Sequence, residues 1–258
     1  EYRRQRQMCI RDSYYSAQAK KIFTNIELES PSGEKNYLRH APKGTFLCIS
    51  PWNFPMAIFV GQVSAALLTG NTVIAKPAED TSLIASEIVK VFHDCGVPKD
   101  ALHLVVGGKD AGNELTKIHA LSGVAFTGST SAAKKINMNL AESDGPIKTL
   151  IAETGGQNVM FVDSSSLKEQ VIDDVVRSAF YSAGQRCSAL RVVYVQEEVA
   201  QEYWDYLKEA MYELEIGDPN NASTDIGPII NQTSLDKLNL HINNCLLYTS
   251  PSPRDLST

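Results

Sequence analysis

From Thr45 onward the chain alternates short, nearly continuous apolar runs rich in β-branched residues with stretches of helical periodicity, and this alternation narrows the fold more than any other feature. An apolar run without in-out alternation suits a strand covered on both faces, and strands separated by helical segments pair in parallel. The pattern predicts a doubly wound α/β unit. Its strands fall at Thr45–Ser50, Thr72–Lys76, Leu102–Val106, Val124–Thr127 and Thr149–Ala152, and its helices at Met56–Leu68, Ser82–Asp94 and Ser131–Leu140. Gly70 and Gly96 stand where helices end in a left-handed residue, and Thr81 stands at an N-cap position. After Gly156 a strand (Val159–Val162), a helix (Leu167–Ser182), a strand (Arg191–Gln196) and helices over Val199–Glu213 and Ser234–Asn243 predict the first part of a second α/β domain. The expected boundaries are 13–154 and 155–245. Residues 1–12, dense in Arg and Gln, and 246–258, with Ser-Pro-Ser-Pro-Arg-Asp, show no periodicity and are expected to be non-native or disordered flanks.

Composition excludes several classes. A formal charge of -6 argues against a phosphate-backbone binder, so nucleic acid is not an expected partner. No apolar run approaches the roughly 18 residues of a membrane helix, and no secretory signal pattern opens the chain. The five cysteines (Cys9, Cys48, Cys95, Cys187 and Cys245) lack CxxC spacing, which predicts neither a disulfide framework nor a metal site and suits a reducing cytoplasm.

Chemistry collects where the predicted strands end. Cys187, in Gly184-Gln185-Arg186-Cys187-Ser188-Ala189, and Glu153, in Ala152-Glu153-Thr154-Gly155-Gly156, are a thiol and a carboxylate among glycines, a candidate nucleophile and base. An isolated cysteine more often serves as a small buried hydrophobe, so the neighbours must decide. Asn53, in Ser50-Pro51-Trp52-Asn53-Phe54-Pro55, stands at the carboxyl edge of the first strong strand and can donate to a developing oxyanion; a rigid proline-bracketed turn is the plainer alternative. Lys76 and Glu79 offer a donor and an acceptor to two ribose hydroxyls, or form a solvated strand end. A carboxylate at Glu79 would repel a 2′-phosphate and favour NAD over NADP. Gly128-Ser129 closes one strand and opens a helix, suiting either a pyrophosphate or an ordinary N-cap. There is no GxGxxG run, and Gly107-Gly108-Lys109-Asp110-Ala111-Gly112 is a poor substitute, so a standard dinucleotide fingerprint is not supported.

Taken together, these motifs resemble the aldehyde dehydrogenase superfamily in identity, order and spacing over roughly residues 13–244. The nearer likeness is to the L-glutamate γ-semialdehyde (pyrroline-5-carboxylate) dehydrogenases, including the dehydrogenase module of bifunctional proline utilization A proteins. It is carried by Ala152 to Asn158, Ser178 to Arg191 and Tyr14 to Lys21. The resemblance implies an NAD-dependent oxidation of a small aldehyde. Cys187 would be the nucleophile, Asn53 and the Cys187 N–H the oxyanion donors, and Glu153 the base that activates water in a closed site. It further implies that Lys76 and Glu79 hold the adenosine ribose and Gly128 and Ser129 the pyrophosphate. Ile49, Trp52, Gly108, Gly112 and Phe126 would line the cofactor cleft. Ser188 resembles the family's contact to the substrate α-carboxylate, whereas Arg186 is as readily a structural arginine as an anion anchor.

Family members run to nearly twice this length. The downstream Glu-x-Phe-Gly-Pro motif and the substrate-anchor loop are not in the sequence, so the chain alone is expected to be inactive or poorly folded. A homo-oligomeric parent, with a fused proline dehydrogenase module as a candidate partner, is implied by the same likeness. Alternative readings are an acyl reductase such as a glutamate 5-phosphate reductase, a papain-like hydrolase, a non-catalytic nucleotide-binding module, or another aldehyde dehydrogenase. Glu153 argues against the first, and the nucleotide motifs argue against the second.

Overall fold

The computed structural model describes residues 13–249; residues 1–12, with Cys9, and 250–258, together most of the two expected flanks, lie outside the described residues. The chain separates into two compact units between Gly155 and Gly156.

The first unit opens with a helix α1 (13–22) and an antiparallel pair, β1 (Ile26–Leu28) and β2 (Asn36–Leu38). Its centre is a five-stranded parallel sheet of β3 (Thr45–Ile49), β4 (Thr72–Lys76), β5 (Leu102–Leu104), β6 (Leu121–Thr127) and β7 (Thr149–Glu153), in the order β5-β4-β3-β6-β7. Helices α2 (Ala57–Leu68), α3 (Ser82–Asp94), α4 (Lys109–Thr116) and α5 (Thr130–Ala141) make the crossovers. This is the expected doubly wound architecture. Two apolar clusters explain the unbroken apolar runs, because β3 feeds both. Cys48 packs with Phe59 and Val63 of α2 and Ala85 and Val89 of α3, while Leu47 packs with Ala133, Ile136 and Leu140 of α5. Leu47 and Phe59 are almost wholly buried, and truncating either to Ala would cost about 2–5 kcal/mol through lost transfer energy and cavity formation.

Departures from the sequence reading have local causes. Strand β6 starts three residues before the expected Val124, since Gly123, a poor strand former, is required there: a Cβ would lie 2.6 Å from the Phe46 ring and 2.9 Å from the Thr149 carbonyl. The register slips by one between Thr45 and Phe46, leaving a bulge at Ser122. Helix α4 forms over the glycine-rich stretch, where a Cβ on Gly112 would crowd the Lys76 stem at 3.3 Å. Thr81 precedes α3 as expected, yet its hydroxyl donates to the Ala78 carbonyl rather than capping the helix. Gly70 (φ 78°) and Gly96 (φ 98°) are left-handed.

The second unit contains a two-stranded parallel sheet, β8 (Val159–Val162) and β9 (Val192–Val195), with helices α6 (Lys168–Phe180), α7 (Glu197–Tyr212) and α8 (Gln232–Thr249). Helix α6 stops at Phe180, two residues short of the expectation, and α8 runs past Asn243 to Thr249, through the start of the expected flank. On the outer face of the sheet Phe161 and Tyr194 stack at 5.1 Å with an interplanar angle of 13°, both exposed. Among the described residues no helix is long and apolar enough to cross a membrane.

Candidate active site

Parallel pairing sets the first unit's site, because it brings every strand's carboxyl end to one edge. Lys76 of β4 pairs with Ile49 of β3, and Ile49 with Phe126 of β6, so three expected cofactor residues form one row across the sheet. One step further along, Thr127 pairs with Glu153 of β7, and the Gly128 N–H donates to the Glu153 carbonyl at 3.0 Å. Strand order reverses between β3 and β6, the place where open α/β sheets bind ligands. Gln62 of α2 spans this point, donating to the Ile49 carbonyl (3.3 Å) and the Thr127 hydroxyl (3.0 Å). An apolar helix bearing one amide was the available sequence signal for Gln62, and it was missed.

A cavity of about 420 Å³ opens beside this row and is lined by Ile49, Lys76, Gly108, Gly112 and Phe126. Asn139, 6% exposed, lies in its wall and donates to Asn113 (2.9 Å) and Thr116 (2.7 Å), a polar network sequence reading did not find. Two glycines stand at close approaches. A Cβ on Gly108 would sit 2.8 Å from the Glu79 carboxylate, and one on Gly128 would sit 2.6 Å from the Phe126 ring. Lys76 is 6% exposed, which removes the solvated strand end as its alternative, and its ammonium donates to the Pro77 carbonyl at 3.1 Å. Burial lowers the Lys76 amine below its ordinary range, and the nearby Glu79 carboxylate opposes that shift. Ser129 takes the N-cap role for α5, accepting from the Ala132 N–H at 3.2 Å. Glu79 and Ser129 are exposed, and Trp52 and Asn53 are half-buried in the turn after β3. A larger cavity of about 640 Å³ lies where the strands begin, between the ends of α2 and α3, and contains none of the expected residues.

In the second unit Cys187 and Ser188 are exposed on the loop between α6 and β9. The loop starts with three consecutive left-handed residues, Ser182 (φ 59°), Ala183 (φ 53°) and Gly184 (φ 65°). For the two non-glycine residues this costs about 1–3 kcal/mol each, strain that persists only where surroundings impose it. Arg186 turns back to α6, donating to the carbonyls of Arg177 (2.6 Å) and Ser178 (2.7 Å), and is therefore a structural arginine rather than an anion anchor. Asn158 donates to the carbonyls of Cys187 (2.7 Å) and Ala189 (2.8 Å). Arg191 donates to those of Gly184 (3.0 Å) and Arg186 (3.3 Å). Neither Asn158 nor Arg191 was picked out from sequence, although both stand in the motifs that carry the family likeness. Glu153 is exposed on β7, so the first unit alone does not supply a closed environment for it. Among the described residues no three His, Cys, Asp or Glu side chains form a metal-binding group.

The chain is 47% identical over 233 residues to the bifunctional protein PutA of Klebsiella aerogenes, covering 89% of this chain and 17% of that protein. It is 37% identical over 229 residues to 1-pyrroline-5-carboxylate dehydrogenase of Anoxybacillus flavithermus, covering 87% of this chain and 44% of that protein. The chain thus spans less than half the length of these relatives. A crystal structure of Bradyrhizobium japonicum proline utilization A superposes with a TM-score of 0.86 at 51% identity, over 90% of this chain and 24% of that one. Betaine aldehyde dehydrogenase of Staphylococcus aureus, solved with NAD+, shares the fold with a TM-score of 0.83 at 24% identity, over 89% of this chain and 45% of that one. Residues 3–246 match the model of the aldehyde dehydrogenase family, and with the doubly wound sheet already described this establishes that the chain belongs to that family.

Proposed function

We propose that this chain is part of an NAD-dependent L-glutamate γ-semialdehyde dehydrogenase, which makes L-glutamate in the second step of proline catabolism. The observation that carries the reading is an exposed thiol, Cys187, on a loop whose backbone is held by side-chain donors, in a chain of the aldehyde dehydrogenase family. The identity to a 1-pyrroline-5-carboxylate dehydrogenase supports the substrate.

In this reading the Cys187 thiolate adds to the aldehyde carbon, and the oxygen that gains the electron pair is held by the Asn53 amide and the Cys187 N–H. NAD, when bound, supplies the hydride acceptor. Cys187 is left carrying the acyl group as a thioester. Glu153 then takes a proton from water, the hydroxide adds to the thioester carbon, and the C–S bond breaks to return the thiolate. Lys76, buried with a donor to spare, and Glu79 beside Gly108 suit two ribose hydroxyls, and the Glu79 charge disfavours NADP. The backbone N–H groups at the start of α5, with Gly128 and Ser129, suit a pyrophosphate. The 420 Å³ cavity and its glycine cradle are compatible with the adenosine half of the cofactor. Ser188 is the proposed contact to the substrate α-carboxylate. Free thiols at Cys48, Cys95 and Cys187 suit a reducing cytoplasm. A homo-oligomer and a proline dehydrogenase module in the same polypeptide are the proposed partners. The 258-residue chain alone is expected to turn over little aldehyde, since Cys187 and Glu153 are both exposed to water.

NADH formation from glutamate semialdehyde, followed in a polypeptide of the relatives' length carrying this sequence, tests the reading. Undiminished turnover in Cys187→Ala would overturn it, as would equal use of NADP by wild type.

A further inference from the structure

We infer that Arg191 and Asn158 are positioning residues for Cys187, Arg191 aiming and polarising its backbone N–H and Asn158 fixing the peptide that follows it; the inference rests on the reading of Cys187 as nucleophile. A trans peptide is planar, so its C=O and N–H point in opposite directions, and the described residues contain no cis peptide. The N–H of Cys187 belongs to the same peptide as the Arg186 carbonyl. That carbonyl accepts from the Arg191 guanidinium at 3.3 Å and from the Ala189 N–H at 3.1 Å. Holding the carbonyl on one side therefore fixes the Cys187 N–H on the other. The next peptide is held in the same way, since the Cys187 carbonyl accepts from Asn158 at 2.7 Å. Both peptide planes flanking the thiol are thus pinned by side chains from outside the loop turn.

Asn158 is well placed for this. Its two side-chain amide hydrogens are divided between the Cys187 and Ala189 carbonyls, while its backbone carbonyl accepts from the N–H groups of Arg191 (2.9 Å) and Val192 (3.2 Å). The loop is therefore registered to the start of β9 through one residue. Arg191 forms no ion pair with a carboxylate among the described residues; its charge is directed at carbonyls of the strained turn, Gly184 at 3.0 Å and Arg186. A cationic donor on a carbonyl draws electron density through the peptide and strengthens the N–H at its other end. The N–H strengthened here is the one proposed to meet the developing oxyanion.

Labelling cysteine with nitrogen-15 in the whole chain gives one backbone amide signal for each of the five cysteines, with Cys187 assigned through Cys187→Ser. In Arg191→Met and Asn158→Asp, the second an isostere without donors, the Cys187 signal is expected to move by several linewidths while Cys48 and Cys95 stay put. Arg191→Lys, which keeps the charge but loses the planar guanidinium whose one terminal nitrogen reaches both carbonyls, carries the test if Arg191→Met does not fold, and is expected to move the signal less. A Cys187 signal unmoved in the folded variants overturns the inference. Kinetics in a polypeptide of the relatives' length separate the two claims. Arg191→Met should lower kcat about tenfold or more, with the KM for NAD within twofold; losing an oxyanion donor outright costs ~10²–10³-fold. If Cys187→Ala abolishes turnover and Arg191→Met leaves kcat unchanged, the inference fails and the nucleophile stands. If Cys187→Ala turns over normally, the nucleophile reading fails, whatever the amide signals show.

Discussion

Gly128 donates its backbone N–H to the carbonyl of Glu153 at 3.0 Å, latching the loop after β6 to the last residue of β7. The same glycine lies under the Phe126 ring, 2.6 Å from where a Cβ would stand. Gly128→Ala must therefore displace a ring that is 5% exposed or break the latch. Overpacking of this kind costs about 1–3 kcal/mol, to be read from urea unfolding, and NADH binding followed by fluorescence should weaken. Unchanged stability together with unchanged binding would refute the close packing.

Lys76 separates stability from function. Burial lowers its amine, so the folded state holds the proton less tightly than the unfolded one, and this group's unfavourable contribution shrinks as pH rises toward 10.5. Lys76→Met removes a buried charge while keeping an apolar stem, and is expected to change stability at pH 7 by about 1 kcal/mol or less. The stability difference should shift in favour of wild type between neutral pH and pH 10. NAD affinity, measured calorimetrically, should fall about tenfold or more, as expected for losing a charged hydrogen bond.

Burial raises the Cys48 thiol from 9.0 to about 12, whereas Cys187 is exposed. At pH 8, iodoacetamide should modify Cys95 and Cys187 in the native chain and spare Cys48 until it unfolds, as peptide mass spectrometry can resolve. The linkage has a definite sign. The folded state retains the Cys48 proton where the unfolded state has lost it, so this contribution to stability falls as pH rises from 9 toward 12.

Glu153→Gln, in a polypeptide of the relatives' length, should still form the thioester but fail to hydrolyse it. Stopped-flow absorbance would then show a burst of about one NADH per site with little further turnover, and intact mass would show the acyl adduct. Steady turnover at the wild-type rate would remove Glu153 from the mechanism.

Asn53→Ala should lower kcat by ~10²–10³-fold, the usual effect of removing one oxyanion donor, with little change in NAD binding. A smaller loss would favour the plain turn reading of the Trp52–Asn53 segment.

The sheet was legible because its strands are apolar on both faces: Leu47 and Cys48 feed opposite clusters, and only a doubly covered strand needs that run. Gly123 and Gly112 concealed the start of β6 and the whole of α4, since their reasons lie in distant partners, the Phe46 ring and the Lys76 stem. The hairpin β1–β2 has three-residue strands exposed throughout, too short for periodicity to register. The strands that bring Ile49, Lys76 and Phe126 into one row were legible, but the support around Cys187 was not. Asn158 and Arg191 act through backbone carbonyls, which no residue pattern displays. For the same reason the role of Arg186 depended on seeing the end of α6.

The stacked pair Phe161 and Tyr194, 76% and 54% exposed on an otherwise apolar sheet face, makes solubility a property separate from fold stability. Contiguous apolar surface of this kind promotes self-association as concentration rises. A charge placed there, as in Phe161→Lys, leaves the contacts of Asn158 and Arg191 untouched and should raise the concentration at which the chain stays monomeric.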